Sequence, residues 1–244
     1  MGAAKAERIL DASETLLLRF GYRRTTVDDV ARQAGVGKGT IYLYWPTKAE
    51  LFGAVLTRES ARMLAEQLAR LRNDLAEARL HRLIRHSFRQ TVSRPLARSF
   101  ATQDRDVMGE LLAASGSSAR FLAGKIDTTA QYLIVLHRHG LLTDDPVADR
   151  TVLHRLSATV LGSLFLEGGL GQDDLSVEGR ADALATTVRR AFEPEPEPAP
   201  EALRAAANQL IELCERWSVD LAGVLRGAWA PQIVPGDEPG RTEP

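Results

Sequence analysis

Apolar residues recur at three- and four-residue spacing along the whole chain, and no stretch alternates strictly between apolar and polar positions. This pattern predicts an all-α fold without a sheet. Glycine and proline divide it into helices. A first helix begins near Ala3 and stops at Gly21, a short second one stops at Gly35, and a third precedes Pro46. A long fourth helix runs from Lys48 to about Leu71. Pro95 separates a helix from about Leu75 to Val92 from its successor. The cluster Ser115-Gly116-Ser117-Ser118 precedes a helix that ends at Gly140, and Asp144-Asp145-Pro146 starts one that reaches about Leu166. Gly168, Gly169 and Gly171 close it, and a further helix spans about Val177–Phe192.

The texture then changes. Residues 193–200 alternate Glu or Ala with Pro, which excludes a helix and predicts an extended, fairly stiff spacer. Beyond it one more helix runs from Ala202 to about Trp229. Its residues Leu203, Ala207, Leu210, Cys214, Trp217, Leu221, Val224 and Ala228 form a heptad stripe. A stripe of this kind must be covered. Folding back on the same chain, crossing to a second copy and meeting another protein all satisfy that requirement. The expected organisation is a three-helix unit at 1–50, a larger helical domain at 51–192, the linker at 193–201, the extra amphipathic helix at 202–230 and a disordered tail at 231–244.

Charge refines this outline. The chain has 244 residues and a net charge of −1, but residues 1–50 carry +2, residues 51–192 carry +3 and residues 193–244 carry −6. A mildly basic body with an acidic tail is not a protein that coats nucleic acid through bulk charge. The single cysteine, Cys214, excludes a disulfide framework and an all-cysteine zinc site, and fits a reducing cytoplasm. No apolar run is long enough for a membrane span, and the first residues have no signal-peptide core.

The segment from Thr25 to Leu51 carries the most information. Thr26 can cap a helix, with Asp29 three residues on completing a near capping box. Val27, Val30, Ala31 and Ala34 give that helix one apolar face. Gly35 can adopt the left-handed conformation of a tight turn, and a second short helix follows with Val36 and Ile41 inward. Thr47-Lys48-Ala49-Glu50 reads as a full capping box for the fourth helix. Two short helices joined in this way form a helix-turn-helix, whose second helix can enter a DNA major groove. That helix offers Lys38, Thr40, Tyr42, Leu43 and Tyr44 as outer residues, able to bond phosphates, base edges or thymine methyls. Lys48 stands at a helix N-terminus, which favours an anion, and no acidic residue interrupts residues 35–47.

The run Ala34-Gly35-Val36-Gly37-Lys38-Gly39-Thr40-Ile41-Tyr42-Leu43-Tyr44-Trp45-Pro46-Thr47-Lys48, preceded by Ile9, Ala12, Leu16, Phe20-Gly21-Tyr22 and Thr25-Thr26, resembles the DNA-binding domain of TetR-type transcriptional regulators. The resemblance is tight over about residues 5–55. Gly37 departs from the serine common in that family, which removes one contact and weakens the helix cap, and Trp45 replaces a usual Phe. The resemblance implies an all-helical homodimer with an N-terminal three-helix domain and a larger C-terminal domain. It implies a repressor that binds a pseudo-palindromic operator in double-stranded DNA and releases it when an unknown small-molecule effector binds. It places DNA contacts at Thr26, Lys38, Thr40, Tyr42, Tyr44 and Lys48, and dimer helices from Val147 to Leu166 and over Val177–Phe192. A transcriptional activator, or a helical protein-interaction module without specific DNA binding, is the competing reading.

Other chemistry is sparse. The glycines around Lys38 do not form a nucleotide phosphate loop, since Gly rather than Ser or Thr follows the lysine and no strand precedes it. His81, His86, His137, His139 and His154 show no metal-ligand spacing, so no metal is expected. No catalytic motif stands out, and neither an enzyme activity nor a cofactor is expected. For an effector pocket, the aromatic and apolar candidates are Phe88, Phe100, Met108, Phe121, Tyr132 and Phe165, with Arg85, Arg89 and Gln131 as polar contacts. Such a mixture suits a medium-sized, largely apolar molecule, with an anionic group as one option.

Overall fold

A computed structural model of the chain describes residues 2–102, 116–167 and 174–229. Among the described residues there are ten α-helices, one 3₁₀ turn and no strand. The first helix, α1 (Gly2–Arg24), is broken near its end by Gly21, whose φ of 75° and ψ of 170° depart from the helical path. Three short or long helices follow: α2 (Val27–Ala34), α3 (Lys38–Tyr44) and α4 (Lys48–Asn73). A first core joins them, with Ile9, Leu10, Val30, Ile41, Trp45, Leu51 and Phe52 fully or almost fully buried. Because α4 is continuous, the expected boundary at residue 50 falls inside a helix rather than in a linker.

Downstream come a 3₁₀ turn (Leu75–Ala78), α5 (Leu80–Ser93), α6 (Pro95–Thr102), α7 (Gly116–Arg138), α8 (Thr151–Leu166), α9 (Val177–Phe192) and α10 (Pro200–Trp229). A second core forms where α5, α7, α8, α9 and α10 meet, around Leu80, Phe88, Leu133, Leu136, Val152, Val188 and Leu210. The predicted tail beyond residue 230 and the glycines at 168, 169 and 171 lie outside the described residues.

Two helices differ from expectation. The helix expected from Pro146, and with it the implied dimer helix from Val147, begins only at Thr151. Asp145 Oδ1 accepts the N–H of Val147 at 2.8 Å, and Asp149 Oδ1 accepts the N–H of Thr151 at 2.8 Å. These carboxylates satisfy backbone donors locally and hold residues 144–150 in turns. The helix expected from about Leu75 is split at Arg79, whose backbone is extended (φ −62°, ψ 135°) although neither glycine nor proline marks the place.

Arg79 explains what that break achieves. It is buried, and its guanidinium donates to Glu193 Oε2 from Nε at 3.1 Å and from an η nitrogen at 2.9 Å. Glu193 also accepts the backbone N–H of His81 at 2.8 Å and lies 2.9 Å from the His81 ring. Glu197 pairs with both Arg79 and Arg189. The Pro/Glu segment is therefore extended, as its composition predicts, but fastened at two carboxylates instead of free.

That docking directs α10 back onto its own chain. Ala206, Ala207, Leu210, Leu213, Cys214, Leu221 and Leu225 are buried, so most of the heptad stripe is covered by α4, α7 and the 3₁₀ turn. Leu225 belongs to the first core, beside Leu96 of α6. Trp217 stacks on Phe121 with ring centroids 6.2 Å apart and lies flat against Gly124, where a Cβ would collide with the indole.

Two outcomes follow from this packing. Gly124→Ala displaces Trp217 and destabilises the fold by about 1–3 kcal/mol, the usual range for overpacking, with a shift in tryptophan emission; urea titration and fluorescence check it. Burial alone would raise the Glu193 carboxyl pKa, but the hydrogen bonds from His81 and the charges of His81 and Arg79 outweigh it and hold the pKa below the ordinary glutamate value. The stability it contributes is complete above the unfolded carboxyl pKa and is lost as pH falls through the lower folded value. Glu193→Gln should cost about 3 kcal/mol at pH 7, as for a broken buried pair. The gap from wild type should close in unfolding curves taken below about pH 4.

Candidate nucleic-acid interface and effector cavity

The geometry of α2 and α3 is set by caps and a turn. Thr26 Oγ1 accepts the N–H of Asp29 at 3.2 Å, and Asp29 Oδ2 accepts the N–H and the hydroxyl of Thr26 at 3.2 and 2.6 Å. This is the capping box in full. The hydroxyl bond, then the backbone bond, hold the exposed Asp29 carboxyl below the usual aspartate pKa. Gly35 is left-handed (φ 63°, ψ 42°), and its N–H and that of Val36 return to the last carbonyls of α2. Gly37 starts α3 without a side-chain cap, as its lack of a side chain dictates. At α4 only half of the expected box forms: Thr47 Oγ1 accepts from the N–H of Glu50 at 3.1 Å, while Glu50 Oε2 is buried without a hydrogen bond.

The outward face of α3 carries Lys38, Thr40, Tyr42 and Leu43. Tyr42 and Leu43 are 40% and 49% exposed, and Thr40 is half-buried. Thr26 is exposed at the start of α2. Lys38 Nζ donates to Asp28 at 2.8 Å, and that bond raises the lysine pKa. Lys48 stands 4.4 Å above the Tyr22 ring, whose edge meets Phe52. Tyr44 is the exception among the expected outer residues. It is 7% exposed, packs on Trp45, and its hydroxyl donates to the Gly2 carbonyl at 3.4 Å. In a helix this short, residues 41 and 44 share one face, and Ile41 already faces the core. Asp28, the partner of Lys38, went unnoticed in the sequence because it lies on the preceding helix.

A second feature lies between α4, α5, α7 and α10: a cavity of about 210 Å³. Of the expected pocket residues, Phe121 and Tyr132 line it. Phe88 does not, being part of the second core. Phe165 is 58% exposed on α8, because its helical face turns away from the chain's own core. Arg85 and Arg89 turn toward α9, where they pair with Asp182 and Glu178, and Gln131 donates to Asp127 on the outer face of α7. Met108 and the Phe100 side chain lie outside the described residues. The lining includes Lys125, Cys214 and Trp217, which sequence reasoning had not assigned to a pocket. No group of three or more His, Cys, Asp or Glu capable of holding a metal occurs among the described residues. No helix there is long and apolar enough to cross a membrane.

A capped helix, a left-handed glycine turn and a short second helix with a polar outer face, packed on α1 and α4, define a helix-turn-helix protein. Residues 9–55 match the family described as bacterial regulatory proteins, tetR family. That match lies in the N-terminal domain, from α1 to the first turns of α4. It is 44% identical over 57 residues to the uncharacterized HTH-type transcriptional regulator YhgD of Bacillus subtilis, covering 23% of this chain and 30% of that protein. It is 31% identical over 113 residues to the HTH-type transcriptional repressor KstR of Mycolicibacterium smegmatis, 44% of this chain and 55% of that one. The matched stretches thus span between about a third and just over half of these curated relatives. Along the remainder, the likeness is one of fold. The SmeT–triclosan complex superposes with a TM-score of 0.58 at 24% identity, over 81% of this chain and 99% of that chain.

The caps give a direct test of the local argument. Thr26→Ala should lower the unfolding free energy by about 1 kcal/mol, while Gly37→Ser, whose backbone (φ −73°, ψ 147°) accepts a side chain, should raise it by a few tenths. Urea titration of the two variants measures both.

Proposed function

We propose that the chain is a homodimeric, ligand-responsive repressor that acts in the cytoplasm by covering a promoter. The observation that carries this reading is the outward face of α3. It presents a cation, a hydroxyl, a phenol and an apolar side chain on a helix short enough to lie in a major groove. Thr26, Lys38, Thr40, Tyr42 and Lys48 are its contacts to DNA. Tyr44 contributes by packing. The names of the relatives, an HTH-type repressor among them, support the same class.

Two copies would present two such helices to successive major grooves, about 34–36 Å apart on a pseudo-palindromic operator. The dimer face is formed by α8 and α9. Leu161 and Phe165 of α8 are 64% and 58% exposed, more apolar surface than a lone chain gains by leaving open. The effector site is the 210 Å³ cavity, whose α4 wall is shared with the helix-turn-helix unit. That a neighbour in fold was solved in complex with triclosan supports a small-molecule effector. On this reading, residues 1–50 bind DNA, residues 51–192 bind effector and partner, and residues 202–230 brace both.

Lys38 enters the complex by exchanging Asp28 for a phosphate. Lys38→Ala should therefore weaken DNA binding and flatten its salt dependence by about one counterion. Asp28→Asn removes the competing carboxylate and should tighten binding at low salt. Selection of duplexes from a random double-stranded pool by the purified protein, then anisotropy titration of the enriched sequence, measures both. A folded dimer that enriches no palindrome at low salt would overturn the reading.

A further inference from the structure

The cavity between α4, α5, α7 and α10 has one formal charge in its described lining. Three of its lining groups titrate: Lys125, Tyr132 and Cys214. Burial pushes the Tyr132 phenol well above its usual range, with smaller contributions from Cys214, Glu77 and Glu193. Burial, then the charge of Glu215, pushes the Cys214 thiol up to about 11. Both are neutral at pH 7. The other lining side chains contributed by α4, α5, α8 and α10 are apolar or uncharged, such as Gln67, Ser87 and Gln90. Glu66, close to Gln90, is taken by Arg94 and by the Gln90 amide.

Among the described residues, Lys125 is thus a cation without a counter-charge. No ion pair among the described residues involves it, and Asp127, two positions along α7, bonds Gln131 instead. The residue is exposed at the rim of the cavity, and the protein atoms packed around its ammonium lower its pKa by partial desolvation. Both facts hold for a side chain running along a concave wall. A carboxylate beside an ammonium on a concave, largely apolar wall gains more from the pairing than it would in open water. An occupant carrying a carboxylate supplies the missing partner. The rest of the wall asks for an apolar body, with Phe121, Trp217 and leucines around it. A cavity of about 150 Å³ holds a benzene-sized molecule, so 210 Å³ suits a molecule of roughly ten non-hydrogen atoms.

The geometry points to a small amphiphilic monocarboxylate as the ligand of this cavity, with its carboxylate on Lys125 Nζ and its apolar body between Phe121, Trp217 and α5. This rests on the reading of the cavity as the effector site.

The test uses the full chain with sodium octanoate and 1-octanol, which share an apolar body and differ in charge. Calorimetric titration at pH 7 should show octanoate binding at least tenfold tighter than 1-octanol. Lys125→Met and Lys125→Gln should each reduce octanoate to the level of 1-octanol and leave 1-octanol unchanged, whereas Lys125→Arg should keep the preference. Equal binding of the two probes by wild type overturns the assignment, as does a preference that survives in both neutral variants, or no octanoate binding at millimolar concentration. Duplex binding by the same preparations without ligand separates the two readings: if it persists while the octanoate preference is absent, only the ligand class falls.

Discussion

Arg58 is buried on α4, and three carboxylates of α1 surround its guanidinium: Glu7 at 2.9 Å, Asp11 at 2.7 Å and Glu14 at 2.7 Å. Much of the architecture depends on this cluster, because α4 serves two cores at once. Its first turns complete the core of the helix-turn-helix unit through Leu51, Phe52 and Val55. Its later turns pack under α10 and α5 through Leu64, Leu68 and Leu71. The next residue, Glu59, is also buried and points the other way, to Arg94 at the start of α6. Two adjacent buried charges thus bind α4 to α1 on one side and to the α5–α6 junction on the other. Each buried charge is held by more than one partner, Arg58 by three carboxylates and Glu59 by Arg94 and Arg62. Any tilt of α4 must therefore be shared by the helices at both ends.

What could be read from the chain was whatever its local chemistry determines. The Thr26–Asp29 box and the Gly35 turn are fixed by bonds between residues three to five apart, so their side chains announce them. The same holds for the start of α9, where Ser176 caps the N–H of Gly179. Features set by distant partners were not legible. Glu7, Asp11 and Glu14 form an evident acidic stripe, but nothing in it names Arg58 as its target. The break at Arg79 carries no breaker residue, because its reason is Glu193, 114 positions away. The late start of α8 is a middle case: the aspartates were visible, and their turns prevailed over Pro146 as a helix opener.

The same division runs through the sites. Outward positions of α3 follow from its period except at Tyr44, whose place on the inner face was obscured by the expectation carried with the motif. In the cavity, aromaticity found Phe121 and Tyr132 but also selected Phe88 and Phe165, which differ only in the direction their helices turn them. Lys125 gave no signal, since an isolated lysine on a helix ordinarily lies in water. Only the wall built by three other helices gives its charge significance.

The last helix joins places that are far apart in the fold. Cys214 and Trp217 stand in the cavity wall, and Leu225, two turns further along the same α10, sits in the core beneath the helix-turn-helix. Eight residues of helix span about 12 Å, so the wall of one chamber and the floor of the other are two points on a single rod. Only covalent structure and helical hydrogen bonds separate the indole from Leu225. This path lies wholly within one chain. Movement along it would be unimolecular, independent of protein concentration and of any second copy of the chain.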